Sequence, residues 1–173
     1  GVQTCALPIS FLNIGGVANA TILSGQAEPI ACDTGPGNAL IDDFVLARTG
    51  AAYDADGALA ASGTPHEALL TRWLAHPFFD QAPPKSLDRH AFDVNGVEML
   101  SDADGAATLT AFTARAVARL LAQLKTPPKL WIARGGGARN KTLLSMLEKH
   151  LNARVRASDD FSWDSGALEA QAF

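Results

Sequence analysis

FLNIGGVANATIL, residues 11–23, is the stretch on which the fold turns. Phe11 to Ile14 and Val17 to Leu23 are apolar, strand-like runs. The Gly15-Gly16 pair between them reads as a tight hairpin turn in which both residues can take positive φ. Downstream, Pro29 to Cys32 forms a third short strand candidate. It runs into DTGPGN at 33–38, a turn too rich in Gly and Pro for regular structure. From Ala39 the pattern is helical: Leu40, Ile41, Phe44 and Val45 share a face, and Gly50 stands at a C-cap position.

Short helical pieces are expected around 57–62 and 66–75. Residues 76–104, with Pro77, Pro83, Pro84, Asn95 and Gly96, read as a loop-rich excursion on the same domain, because Phe78, Phe79, Phe92 and Leu100 need burial. The clearest helix covers about 106–125, where Leu109, Phe112, Ala116, Val117, Leu120 and Leu124 make one stripe and Arg115 and Arg119 lie off it. Leu130 to Ala133 is a buried strand. GGG at 135–137 follows, and Asn140 caps a helix built on Leu143, Leu144, Leu147 and Leu151. Val155 lies in a last strand, and ALEAQAF at 167–173 starts a terminal helix. This order predicts an α/β domain, a mixed sheet flanked by helices.

At 173 residues the chain can bury one sizeable core, and 47% hydrophobic with 18% charged residues is a globular composition. A net charge of −4 with scattered basic residues argues against a nucleic-acid partner and against a polybasic membrane contact. Residues 1–27 carry no charge, yet Asn13, Asn19, Thr21 and Ser24 interrupt them and no basic n-region precedes them, so no membrane segment is expected. Cys5 and Cys32 make no metal pattern and read as reduced thiols of a cytoplasmic protein. GVQTCALPIS at 1–10 is uncharged, interrupted by Pro8 and without period. It reads as a non-native lead-in, with the native chain running from Phe11 to a terminal helix cut short at Phe173.

Three glycine-bearing turns stand at strand ends, where α/β sheets bind ligands. NIGG at 13–16 can bring backbone N–H groups close to a phosphate, or can be an ordinary hairpin turn. In DTGPGN, Asp33 can project a carboxylate into the crevice as a general base, with Thr34 and the glycine amides beside it; equally, it can tie its own turn. Spacing alone leaves the two balanced. Asp42 and Asp43 read as partners of the helix dipole rather than metal ligands. GGGARN at 135–140 offers bare backbone at a helix N-terminus, with Arg134 and Arg139 available for phosphate or simply on the surface. The dinucleotide fingerprint, the P-loop, HExxH and GxSxG are all missing from the sequence, which removes Rossmann, P-loop, zinc and serine-hydrolase readings.

Taken together, FLNIGGVANATIL, CDTGPGNALIDDF, YDADGALAASG, PPKSLDRHAF, DGAATLTAFTA, ARGGGARNKTLLSML and ALEAQAF, in this order over about 11–173, resemble the anhydro-N-acetylmuramic acid kinases. The resemblance implies an actin-like (ribonuclease H-like) ATPase lobe. It also implies a kinase that uses ATP and Mg²⁺ to convert 1,6-anhydro-N-acetylmuramic acid to its 6-phosphate in peptidoglycan recycling. On the matching positions it makes Asp33 the base that activates water, and it sets Asn13, Gly15 and Gly16 at the nucleotide phosphates. Gly135, Gly136, Gly137 and Asn140 fall along the adenosine, while Thr34, Gly35, Asn38 and Glu169 fall at the substrate cleft. Arg134 stands where the family usually has a small residue or Cys, and Gly166 where a polar residue is common. The family's N-terminal lobe, with its GTSLDG-type loop, has no counterpart in the sequence, so 11–173 corresponds to the C-terminal lobe and is expected to be inactive alone. The family tendency is dimeric. Other sugar kinases of the superfamily, and non-catalytic actin-like modules, share the general pattern.

Overall fold

The computed structural model describes residues 8–24, 28–89 and 91–161. Within them five strands form one sheet in the order β3-β2-β1-β4-β5. These are β1 (Ile9–Ile14), β2 (Val17–Leu23), β3 (Ile30–Pro36), β4 (Leu130–Arg134) and β5 (Arg154–Ala157). β2 is antiparallel to β1 and β3, whereas β4 is parallel to β1 and β5. The sheet is therefore mixed, as the hairpin followed by strand–helix–strand units requires.

Two strands run further than their apolar patterns suggest. β1 starts at Ile9, because Ile9 and Ser10 pair with Leu23 and Ile22 on one side and with Leu130 and Trp131 on the other. The Lys129 N–H also donates to the Pro8 carbonyl at 3.1 Å. β3 continues to Pro36, so the first half of DTGPGN is strand rather than turn. Asn19 pairs with Asp33 and Ala18 with Gly35, and the register shift between them leaves Thr34 as the extra residue of a bulge.

The helices are α1 (Ala39–Thr49), α2 (Ala58–Ala61), α3 (Glu67–Leu74), α4 (Asp102–Arg119) and α5 (Lys141–Leu151). α1 ends where Gly50 turns left-handed, at φ 76°, and its N–H returns to the Leu46 carbonyl. α4 starts earlier than its apolar stripe because Ser101 caps it, accepting the Asp104 N–H at 3.1 Å while its hydroxyl donates to the Asp104 carboxylate at 2.8 Å. It tightens into a 3₁₀ turn at Leu120–Gln123.

α4 and α5 cover one face of the sheet. Leu12, Ile14, Ala20, Ile22, Trp131 and Val155 pack there against Val117, Leu120, Leu143 and Leu147. A second cluster, also built on α4, gathers Phe44, Trp73, Phe78, Phe79, Phe92 and Phe112. Phe79 stacks on Phe92 at 5.3 Å and 10°, and both meet Phe112 edge-on. Each buried ring contributes roughly 1.5–3 kcal/mol, so these rings hold the irregular excursion of 76–104 to the domain. Leu100 is only half-buried.

Candidate functional site

The three glycine turns meet as one unit. The Gly37 and Asn38 N–H groups donate to the carbonyls of Gly16 (3.0 Å) and Gly15 (2.7 Å). Thr113 on α4 braces the same point, its hydroxyl donating to the Gly37 carbonyl at 3.0 Å. Gly37 has no room for a side chain, since a Cβ would lie 2.1 Å from the Gly15 oxygen. From the other side, Gly135 has φ 81° and lies over Ile14 and Asn13, while Gly137 packs on Ile14 with the Asn38 amide alongside. Gly15 and Gly16 do not have the positive φ expected of a tight hairpin. Their turn is instead held from outside by the Gly37 and Asn38 amides. Gly16 remains exposed, with bare backbone facing outward.

The sheet face opposite α4 and α5 carries a polar row. Asp33 is opposite Asn19, Asn19 opposite Asn13, and Asn13 opposite Arg134, one from each of four neighbouring strands. All four are half-buried. Directly opposed residues share a face, so this row is a consequence of register. The Arg134 Nε is buried and has no hydrogen-bond partner among the described residues.

Among the described residues, the Asp33 carboxylate bonds outside its own turn. Its Oδ2 accepts the Leu87 N–H at 2.7 Å, and its own N–H donates to the Lys85 carbonyl at 2.9 Å. The PPKSL segment is thus laid along the edge strand β3. Lys85 secures it by donating to the Phe78 carbonyl at 3.0 Å with its ammonium 4.5 Å from the Phe78 ring centroid. Burial holds that ammonium below the usual lysine range. Two residues expected at the substrate cleft face the interior instead. Thr34 is buried and donates to the Ala18 carbonyl at 3.0 Å, because the bulge turns it inward. Gly35 is pressed against Ala116 and Phe79, where a Cβ would lie 2.6 Å from the Ala116 Cβ.

Beside the turns opens a cavity of about 240 Å³, lined by Asn38, Ile41, Asp42, Tyr53, Asp54, Asp56, Gly136, Arg139 and Asn140. Asn140 caps α5 by accepting the Leu143 N–H at 2.9 Å. The opposite wall is docked to the same helix: the Thr142 hydroxyl donates to the Gly57 carbonyl at 2.7 Å, and Gly57, at φ 73°, fits against the Asn140 amide. Asp54 stiffens that wall by accepting the Leu59 and Ala60 N–H groups at 2.8 and 2.9 Å. Tyr53 is 64% exposed at the cavity rim. Burial, with the neighbouring Asp43, pushes the Asp42 carboxyl above its usual range, and Arg89 opposes this. The 53–57 wall lies in YDADGALAASG, which stands among the motifs of the resemblance but carried no site role in the sequence reading. Asn19 was legible only as the polar half of an alternating strand. Glu169, Gly166, Cys5 and the terminal helix lie outside the described residues.

A mixed sheet in this order, flanked by helices and with a hairpin turn, a Gly-Pro-Gly bend and a glycine turn converging at one end, is an actin-like α/β fold. Two solved structures share the fold: the activator of 2-hydroxyisocaproyl-CoA dehydratase from Clostridium difficile with bound ADPNP (TM-score 0.53, 14% identity) and component A of (R)-2-hydroxyglutaryl-CoA dehydratase from Acidaminococcus fermentans (TM-score 0.52, 14% identity). They cover 87% and 86% of this chain, and 53% and 54% of their own. The family model for anhydro-N-acetylmuramic acid kinase matches residues 6–173, and the chain belongs to that family. Anhydro-N-acetylmuramic acid kinases from Methylobacterium nodulans and Rhodopseudomonas palustris (strain HaA2) are 54% and 53% identical over 95% and 96% of the chain. The chain spans 44% and 46% of the length of these two relatives.

Proposed function

We propose that the chain is the C-terminal, nucleotide-side lobe of a cytoplasmic kinase that uses ATP to convert 1,6-anhydro-N-acetylmuramic acid to N-acetylmuramic acid 6-phosphate. The carrying observation is the position of Asp33. It sits in register with Asn19 and Asn13 on the open sheet face, so its carboxylate shares that face with a residue of the NIGG turn. The 240 Å³ cavity on the far side of Asn38 suits a nucleoside, with Gly136 and Asn140 along it and Tyr53 able to stack on the base.

In this reading Asp33 takes a proton from water as the water oxygen bonds to the anomeric carbon. The bond from that carbon to the anhydro oxygen breaks, and the freed oxygen takes the terminal phosphoryl group, releasing ADP. The Leu87 N–H fixes the orientation of the base, and the rigid Gly15–Asn38 contacts fix the distance to the phosphates. Such transfer depends on positioning more than on covalent help. Mg²⁺ supplies charge neutralisation when it arrives on the nucleotide.

The test is Asp33→Asn in the full-length protein. Turnover should fall by about 10²–10⁴-fold while ATP affinity stays within about twofold. Equal loss of turnover and ATP binding would mean that Asp33 only anchors the 85–87 segment.

A further inference from the structure

A phosphate seated on the Gly15-Gly16 turn brings several negative charges to a place already acidic. The N–H groups of Gly37 and Asn38, which lead into α1, and of Ala39, its first residue, are committed to the Gly16 and Gly15 carbonyls. Asp42 and Asp43 follow within the first turns of α1. For a side-chain cation to accompany the metal ion, the sequence pointed to Arg134 and Arg139. Arg139 lines the nucleoside cavity and Arg134 lies on the sheet face, so neither was found at the open side of Gly16.

Arg89 is there. Its Nη1 lies 3.9 Å from where a Cβ on Gly16 would project, and its Cδ lies 4.0 Å from the same point. The segment that carries it is fastened to Asp33 at Lys85 and Leu87, only two residues before Arg89. In the structure its guanidinium faces Asp43, with Nη2 3.3 and 3.5 Å from the two carboxylate oxygens. Those distances are long for a charge-assisted bond, and the side chains are 53% and 61% exposed. An exposed pair of this kind holds weakly and is readily exchanged.

Resting on the kinase reading, we infer that Arg89 is the phosphate-contacting cation of this site, parked on Asp43 until nucleotide arrives. When phosphate enters over Gly16, the guanidinium leaves Asp43 for phosphate oxygens, a geometry that suits its fork of donors. Asp33 then has two connected jobs: its carboxylate meets water, and its backbone and Oδ2 set the loop that delivers Arg89.

The test compares ATP and adenosine binding by calorimetry, alongside turnover, in full-length wild type, Arg89→Ala, Arg89→Lys and Asp43→Asn. Arg89→Ala should weaken ATP by about 10- to 100-fold and leave adenosine within about twofold, with Arg89→Lys recovering part of the loss. Asp43→Asn should tighten ATP by roughly two- to fivefold, since it frees the arginine and removes a repelling charge. If Asp43→Asn reproduces Arg89→Ala, the pair merely clips the loop to α1 and the inference falls. It falls too if Arg89→Ala weakens adenosine as much as ATP, or leaves ATP affinity unchanged. Wild-type turnover of the anhydro-sugar tests the kinase reading separately, so loss of one reading is distinguishable from loss of the other.

Discussion

Asp33 and Leu87, 54 residues apart in sequence, are joined by a 2.7 Å hydrogen bond from the Leu87 N–H to the Asp33 carboxylate. The bond makes the proposed base also the anchor of a loop, so its two roles can be separated by choice of substitution. Asparagine keeps an acceptor for the Leu87 N–H, whereas alanine removes it. Asp33→Ala should therefore cost about 1–2 kcal/mol of stability in urea denaturation where Asp33→Asn costs little. Limited proteolysis should cut Asp33→Ala near 83–89 before the wild type. Identical stability of the two variants would mean that the loop is held by its aromatic packing alone.

Gly37 should be among the least replaceable residues of the chain. A Cβ at this position would sit 2.1 Å from the Gly15 carbonyl oxygen and 3.0 Å from the Val17 carbonyl carbon, both backbone atoms that cannot rotate away. Gly37→Ala should separate the Gly-Pro-Gly bend from the hairpin and lower stability by roughly 3 kcal/mol, read as the shift in thermal midpoint. Gly50→Ala is the control. Unlike Gly37 it has positive φ, but nothing lies within 4 Å of its Cβ, so its cost should be limited to about 1 kcal/mol of backbone strain.

Tyr53 is exposed at the cavity rim and makes little of the core. Tyr53→Ala should change stability by no more than about 0.5 kcal/mol. If its ring stacks on the nucleoside base, the same change should weaken ATP and adenosine equally, by about 5- to 30-fold. Equal weakening of both ligands is the opposite pattern to that expected of Arg89→Ala, and one calorimetric series reads both.

The Glu67–Arg115 pair gives a pH signature. Arg115 forks both carboxylate oxygens at 2.6 and 2.7 Å, and these hydrogen bonds hold the Glu67 carboxyl below its usual range. The folded-state value is depressed, so its stabilisation is present above the unfolded carboxylate range and disappears as pH falls through the folded value. Glu67 is largely exposed, and the whole effect should stay below about 1 kcal/mol. Comparing urea midpoints at neutral and acid pH, the wild type should lose this increment on acidification and Glu67→Gln should not.

Much of the architecture was readable in one dimension because the relevant information is local. Alternation along β1 and β2, the stripe on α4, the Asn140 cap and Gly50 each express a period or a single backbone conformation, which neighbours in sequence suffice to specify. The composition of the three glycine turns likewise marked the end of the sheet where they gather. The ordered set of motifs then identified the family.

Residue spacing left it balanced whether Asp33 is a base or a turn-holder, and only the fold shows which face it occupies. Only the strand register sets Asp33, Asn19, Asn13 and Arg134 in one row, because pairing decides which face each residue occupies. A bulge of one residue turns Thr34 into the core while Asp33 stays on the open face, and no local pattern announces such a shift. The same holds for Arg89 over Gly16 and for the 53–57 wall, which are brought in across long loops by the packing of Phe79, Phe92 and Phe112 and by Thr142. Sequence alone determined the elements and the glycine turns that gather at one end of the sheet. Tertiary structure decided which side chains share that face, since that depends on register and on contacts between distant residues.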